Sequence, residues 1–101
     1  MVPEQRSNII EELIKAHFGG HLIPTYHAQL RMVERNITLS DIEEAILNSQ
    51  RETAKDKLTD DGADWIYHVR GKTNDGEKDI RIAFFFDDPR AIIVTVIDLE
   101  A

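Results

Sequence analysis

The first part of the chain places its hydrophobic positions with a helical period. Apolar residues recur three and four positions apart up to Phe18, and charged residues occupy the opposite side. Gly19 and Gly20 then end the pattern, as glycines commonly do at the C-terminal end of a helix. Because Pro3 also suits a first helical turn, this spacing predicts an amphipathic helix over residues 3–18 that packs on the rest of the domain as scaffold.

Two further helices are predicted in close succession. The second runs from Thr25, whose hydroxyl can cap a helix, to about Arg35. The third begins at Thr38, where Asp41 three residues later completes a capping-box pattern. Since only a short link separates the two helices, the chain must turn sharply between them.

From Gln50 onward the period changes to that of strands. Four strands are predicted, at residues 51–57, 65–70, 80–86 and 91–99, and the first of them is weak and polar, as suits a sheet edge. Turn signals rich in Asp, Asn and Gly separate the later strands. The order predicts an α+β domain in which N-terminal helices pack on one face of a four-stranded antiparallel sheet.

Alternation assigns the polar residues of these strands to one face. His68, Arg70 and Arg81 have the parity that faces away from the helices. They are candidates for a basic site, although any half-solvated sheet also requires a polar open face. Thr95 lies mid-strand, where a hydroxyl can serve a site or simply suit a strand.

Composition bounds the class of protein. A chain of 101 residues predicts a single domain, 1–101, with one core. The sequence has no cysteine, no signal-peptide pattern and no apolar run of membrane-spanning length, so we expect a cytoplasmic protein without a membrane partner. The formal net charge of -7 argues against a broad basic face for nucleic acid, and it suits a protein that binds a basic partner.

One helical stripe carries candidate chemistry. His27, Arg31 and Arg35 are spaced four apart, so they share one narrow sector of the second helix. Such a stripe can hold a phosphate, with the imidazole as acid or base and an arginine stabilising developing charge. The alternative is structural, with both arginines paired to nearby carboxylates, namely Glu34, Glu43 or Glu44.

Other types of site find little support. His17 and His21 have a zinc-like spacing, but glycines separate them and no third ligand is evident, so we predict no metal and no cofactor. The glycines form neither a dinucleotide-binding nor a P-loop pattern, and no serine has a nucleophile-elbow context.

A set of motifs over residues 25–98 resembles a known family. These motifs are His27-Ala28-x-x-Arg31-Met32-x-x-Arg35-x-Ile37, Thr38-x-x-Asp41-Ile42-x-x-Ala45-Ile46, Tyr67-x-Val69-x-Gly71, Ile80-Arg81-Ile82-x-Phe84 and Ile93-Val94-Thr95-Val96. They resemble a family of small bacterial proteins, domain of unknown function 4258. The N-terminal amphipathic segment, residues 1–20, lies outside the resemblance.

That family is similar in layout to the superfold of RelE-type toxins, barnase and related ribonucleases. The resemblance implies metal-free RNA cleavage, or descent from it. By the same analogy His27 is the acid/base or phosphate-orienting group, and Arg31 and Arg81 bind the scissile phosphate. Thr95 is an auxiliary group counted with the catalytic candidates, and Tyr67 or His68 is a further auxiliary group. The substrate-binding candidates are Arg35, Tyr67, His68 and Arg70.

Two functions follow as hypotheses. The first is a toxin-like endoribonuclease that acts on RNA or the ribosome and is held by an antitoxin or another protein partner. The second is a non-catalytic, acidic protein-interaction module, such as an immunity or adaptor protein, on the same fold. The histidine and arginine constellation favours the first, whereas the net charge of -7 favours the second.

Overall fold

The computed structural model describes residues 2–100, which form three α-helices and a mixed six-stranded sheet. The helices are α1 (Ile9–Phe18), α2 (Tyr26–Glu34) and α3 (Leu39–Leu47). The strands are β1 (Leu22–Pro24), β2 (Gln50–Arg51), β3 (Lys57–Leu58), β4 (Trp65–Lys72), β5 (Asp79–Asp87) and β6 (Arg90–Asp98). Within residues 2–100, no helix combines the length and apolar character needed to cross a membrane.

Helix α1 begins at Ile9, later than the predicted start at Pro3. The preceding segment is held against the sheet instead. The carbonyl oxygen of Pro3 accepts a hydrogen bond of 2.7 Å from the Trp65 indole, and the Arg6 backbone N–H donates to the Tyr67 hydroxyl at 2.8 Å. These two bonds keep the residues before α1 non-helical.

The local signals for α2 and α3 are confirmed. The Thr25 hydroxyl accepts the Ala28 N–H at 3.1 Å, which caps α2. At α3, the side chains of Thr38 and Asp41 each accept the other's backbone N–H at 3.0 Å, so the capping box is complete. Between the helices Asn36 adopts a left-handed conformation with φ of 53°, as the sharp turn requires.

The sheet differs from the predicted four-stranded antiparallel meander. Strands β4, β5 and β6 are antiparallel neighbours as predicted, but the full order is β1-β6-β5-β4-β2, with β3 also paired to β4. Strand β1 pairs parallel with β6, which makes the sheet mixed. With three residues including a proline, β1 is too short to show a strand period in the sequence.

The predicted strand at 51–57 is two short strands with a turn between them. Both β2 and β3 pair with β4, while Thr53–Lys55 forms a single 3₁₀ turn. The Glu52 N–H donates to the His68 carbonyl at 2.9 Å, and the Asp56 carboxylate accepts the His68 N–H at 2.9 Å. The Asp56 side chain therefore takes the place of a backbone carbonyl as the acceptor for His68, and the residues of the 3₁₀ turn are not paired with β4.

A β-bulge in β6 changes which residues face the helices. Phe84 pairs with Ile93, whereas its neighbour Ala83 pairs with Thr95, so Val94 is the extra residue. Ile93 before the bulge and Val96 after it are both buried in the core. Thr95 is thereby placed on the opposite face, directly beside Ala83.

The core lies between the three helices and one sheet face. Each helix contributes to it, α1 through Leu13, α2 through Ala28 and α3 through Ile46, and all three side chains are 4% exposed or less. The sheet contributes the fully buried residues Tyr67, Val69, Ile80, Ile82, Phe84, Ile93 and Val96. The other sheet face is left without a helix, and we call it the open face.

Candidate functional site

Two neighbouring rows on the open face gather four of the predicted site residues. Strand register places His68, Ala83 and Thr95 side by side across β4, β5 and β6. The next row places Arg70 beside Arg81. Because same-face residues in adjacent rows are within reach of long side chains, these positions form one surface.

Arg81 is held by a carboxylate that the sequence did not reveal. Its Nε donates to Glu52 Oε1 at 2.6 Å and its Nη2 donates to Glu52 Oε2 at 3.0 Å. The two side chains are 18% and 21% exposed. This bidentate bond raises the pKa of Arg81 and lowers the pKa of Glu52, so both groups are charged at neutral pH.

Arg70 forms a second bidentate pair, with Asp79. Nε donates to Oδ1 at 3.0 Å and Nη2 donates to Oδ2 at 2.6 Å. The Arg70 side chain is 47% exposed while that of Asp79 is 6% exposed, so the carboxylate is the interior partner. The hydrogen bond lowers the pKa of Asp79 and raises that of Arg70.

His68 is largely buried beside Asp56. Its side chain is 13% exposed, and its Nδ1 lies 3.7 Å from Asp56 Oδ1, beyond hydrogen-bonding distance. Burial lowers the pKa of the imidazole, and this outweighs the upward effect of the Asp56 carboxylate. His68 is therefore neutral at pH 7, in the form that accepts a proton.

Asp56 fixes the backbone at this point. Its side chain is fully buried, and it accepts both the His68 N–H and a hydrogen bond of 3.1 Å from Arg51 Nη2. Neither Glu52 nor Asp56 was a candidate from the sequence, because both belong to the irregular turn beside β4. The only signal in the sequence was the presence of acidic residues within the weak polar segment predicted as a strand at 51–57.

Tyr67 is not brought to this surface. It is 1% exposed, on the face that packs against the helices, and its hydroxyl accepts the Arg6 N–H. The Arg51 guanidinium lies 5.4 Å from the centre of its ring. In this structure Tyr67 is a core residue, out of reach of a substrate on the open face.

The basic stripe of α2, formed by His27, Arg31 and Arg35, lies apart from the open-face residues. Helix α2 borders β6, to which it is joined through the Thr25 N–H and the Ile93 carbonyl at 2.9 Å. His27 is exposed at the start of the helix. Within residues 2–100, no ion pair links His27, Arg31 or Arg35 to the open-face side chains.

The arginines of α2 have a structural partner in their own helix. Arg31 Nη1 donates to Glu34 Oε2 at 2.8 Å, and Arg35 Nη1 lies 4.0 Å from the same oxygen. The carboxylate is thus Glu34, one of the three named as alternatives, and Glu43 instead lies 3.1 Å from His17 Nδ1. Over residues 2–100, no group of three or more His, Asp or Glu side chains is arranged to hold a metal ion.

An open groove adjoins the cluster where β2 meets β4. Its volume is about 750 Å³, within the range of small-molecule sites. Glu52, Arg70, Lys72 and Asp79 line it together with the tip of the β4–β5 hairpin. A ligand in the groove would meet the two bidentate arginine pairs from the side.

Stability should fall in two stages as the solution is acidified. His68 has a lowered pKa in the fold, so the unfolded chain binds its proton more readily, and stability declines below pH about 6.5. Glu52 and Asp79 are held ionised by arginines, so their contribution is present above pH about 4 and is lost below it. Urea unfolding at successive pH values measures both stages.

His68→Gln is the matched control for this pH dependence. The variant should lose the upper stage and retain the lower one, because glutamine does not titrate. A wild-type unfolding free energy that stays constant between pH 7 and pH 5 would contradict the burial of a neutral imidazole.

The fold and the open face define a small α+β domain with a charged cluster of histidine, arginines and carboxylates on its helix-free sheet face. The chain belongs to the family described as Domain of unknown function (DUF4258), whose model matches residues 25–98. This confirms the predicted family, and helix α1 lies outside the match. No curated protein and no solved structure matches the chain. The likeness to RelE-type toxins and barnase stays a prediction.

Proposed function

We propose that the protein is a toxin-like, metal-independent endoribonuclease of a bacterial toxin–antitoxin type system, with its active site on the open face. One observation carries this proposal. A neutral histidine, His68, lies one row from a guanidinium, Arg81, that is held in a bidentate bond by Glu52. A proton acceptor beside a phosphate-binding cation is the minimum that RNA cleavage without a metal requires.

The chemistry assigned to this cluster is transesterification at a phosphodiester. His68 takes the proton of the ribose 2′-hydroxyl, whose oxygen forms a bond to phosphorus. The bond from phosphorus to the 5′-oxygen breaks, and that oxygen leaves with a proton from water. The products are a 2′,3′-cyclic phosphate and a free 5′-hydroxyl, and Arg81 stabilises the charge on the phosphorane.

Substrate binding in this proposal displaces a carboxylate. A phosphate replaces Glu52 on the Arg81 fork, since both anions suit the same bidentate geometry. Arg70 and the groove beside it bind the neighbouring nucleotide, and Thr95 contributes a hydroxyl to the same surface. His27, Arg31 and Arg35 are assigned to phosphates further along the RNA.

A second candidate is the non-catalytic acidic protein-interaction module, such as an immunity or adaptor protein. The observation that favours it is the pairing of the arginines. Arg31, Arg70 and Arg81 each bond a carboxylate of the same chain, and the net charge is -7. An anionic substrate must then compete with internal partners for every one of these cations.

The test is RNA cleavage by the purified full chain in the presence of EDTA. We expect single-stranded RNA to be cut with 2′,3′-cyclic phosphate ends, and induced expression to slow growth. His68→Ala should lower the cleavage rate by about 100-fold or more, as loss of a general base does. His21→Ala, on a histidine outside the cluster, is the matched control. If the wild type neither cuts RNA nor slows growth, the interaction module is the better description.

A further inference from the structure

Helix α2 turns a hydrophobic stripe toward solvent. Tyr26, Leu30 and Val33 are 76%, 44% and 81% exposed, and their spacing of four and three residues aligns them on one side of the helix. Ala28, on the opposite side, is fully buried in the core. The helix is therefore apolar on two faces, and only one of them is covered within the chain.

A groove runs beside this stripe toward the C-terminal end of α2. It has a volume of about 460 Å³ and is lined by Gln29, Met32, Val33, Asn36 and Ile37. The stripe thus combines a protruding aromatic ring near the start of the helix with an apolar recess near its end.

We propose that this face binds a second copy of the same chain, with the two α2 helices packed antiparallel about a two-fold axis near Leu30. An antiparallel pair places Tyr26 of each copy level with Val33 and Glu34 of the other. Each Tyr26 ring then packs against Val33 and enters the groove of the second copy. The surface is self-complementary, as a two-fold interface requires.

Polar residues beside the hydrophobic stripe of α2 also favour the antiparallel arrangement. His27 and Glu34 lie on one flank of the stripe, near opposite ends of α2. In an antiparallel pair each His27 faces Glu34 of the second copy, whose carboxylate also accepts a hydrogen bond of 2.8 Å from Arg31 of its own helix. A parallel pair would instead place His27 level with His27 and Glu34 level with Glu34. The imidazole and the carboxylate are therefore matched twice across the axis.

The size of the face sets the strength of association. Three side chains and one groove cover less than the roughly 800 Å² per partner that a stable interface buries. The dimer is accordingly concentration-dependent.

Sedimentation velocity of the full chain across a wide range of concentration tests this interface. The mass of the wild type should rise from 11.6 kDa toward twice that value, while Tyr26→Lys and Val33→Glu stay monomeric. Leu47→Glu is the matched control, because Leu47 is 48% exposed on α3 and outside the stripe. Circular dichroism verifies that each variant is folded.

A charge exchange separates the antiparallel pair from other uses of the stripe. His27→Glu should weaken the dimer, and addition of Glu34→His should restore it. A wild type that stays monomeric at every concentration overturns the proposal. An equal loss of dimer in Leu47→Glu, or association through Val33 with a different protein in place of self-association, overturns it as well.

Discussion

Gly71→Ala should destabilise the fold by about 3 kcal/mol or more, a large part of the stability of a small domain. A Cβ atom at this position would lie 2.0 Å from the Ala45 carbonyl oxygen and 3.1 Å from the Ser49 Cα. Both contacts are with backbone atoms of α3 and its C-terminal end. The helix must therefore move away from β4 to admit one methyl group.

Urea unfolding of Gly71→Ala and Lys72→Ala makes the comparison direct. Lys72 is the next residue of β4 and is exposed, so its variant should unfold within about 0.5 kcal/mol of the wild type. Adding Ala45→Gly to Gly71→Ala should not rescue stability, since the clash involves the Ala45 carbonyl rather than its side chain. A Gly71→Ala protein as stable as the wild type would mean that α3 does not approach β4 this closely.

Local signals were sufficient for much of this fold. Thr25 and Thr38 cap the helices that they were predicted to cap, because a capping bond joins residues three apart and needs no knowledge of the rest of the chain. Strand β1 depends instead on Ile93 and its neighbours, far along the sequence, and three residues carry no period. The approach of α3 to Gly71 is likewise a consequence of packing between distant elements.

The candidate site divides in the same way. The alternation of side chains along a strand was enough to predict that His68, Arg70 and Arg81 share one face, because this alternation does not depend on which strands are paired. Thr95 joins them only because of the bulge at Val94, which sequence alternation does not reveal. Glu52 was missed because an irregular turn, rather than a regular strand, brings it to Arg81.

Arg81→Ala should lower RNA cleavage by about 100-fold or more, if the open face is the active site, because it removes the cation assigned to the phosphorane. Arg81→Lys should give an intermediate rate, since lysine keeps the charge but loses the bidentate fork. Arg90→Ala is the matched control, because Arg90 is 52% exposed and pairs with Asp87 at a surface turn. Initial rates on one RNA substrate measure all three variants.

The same experiment locates the site when it is extended to α2. His27 and Arg31 were expected to act at the reacting phosphate, whereas the proposal built on the open face assigns them to binding along the RNA. Their alanine variants should then raise the RNA concentration needed for half-maximal cleavage and leave the maximal rate nearly unchanged. Arg81→Ala should lower the maximal rate itself. If a folded Arg81→Ala protein cleaves as fast as the wild type while His27→Ala does not, the reacting phosphate lies beside α2, and the bond between Arg81 and Glu52 is structural.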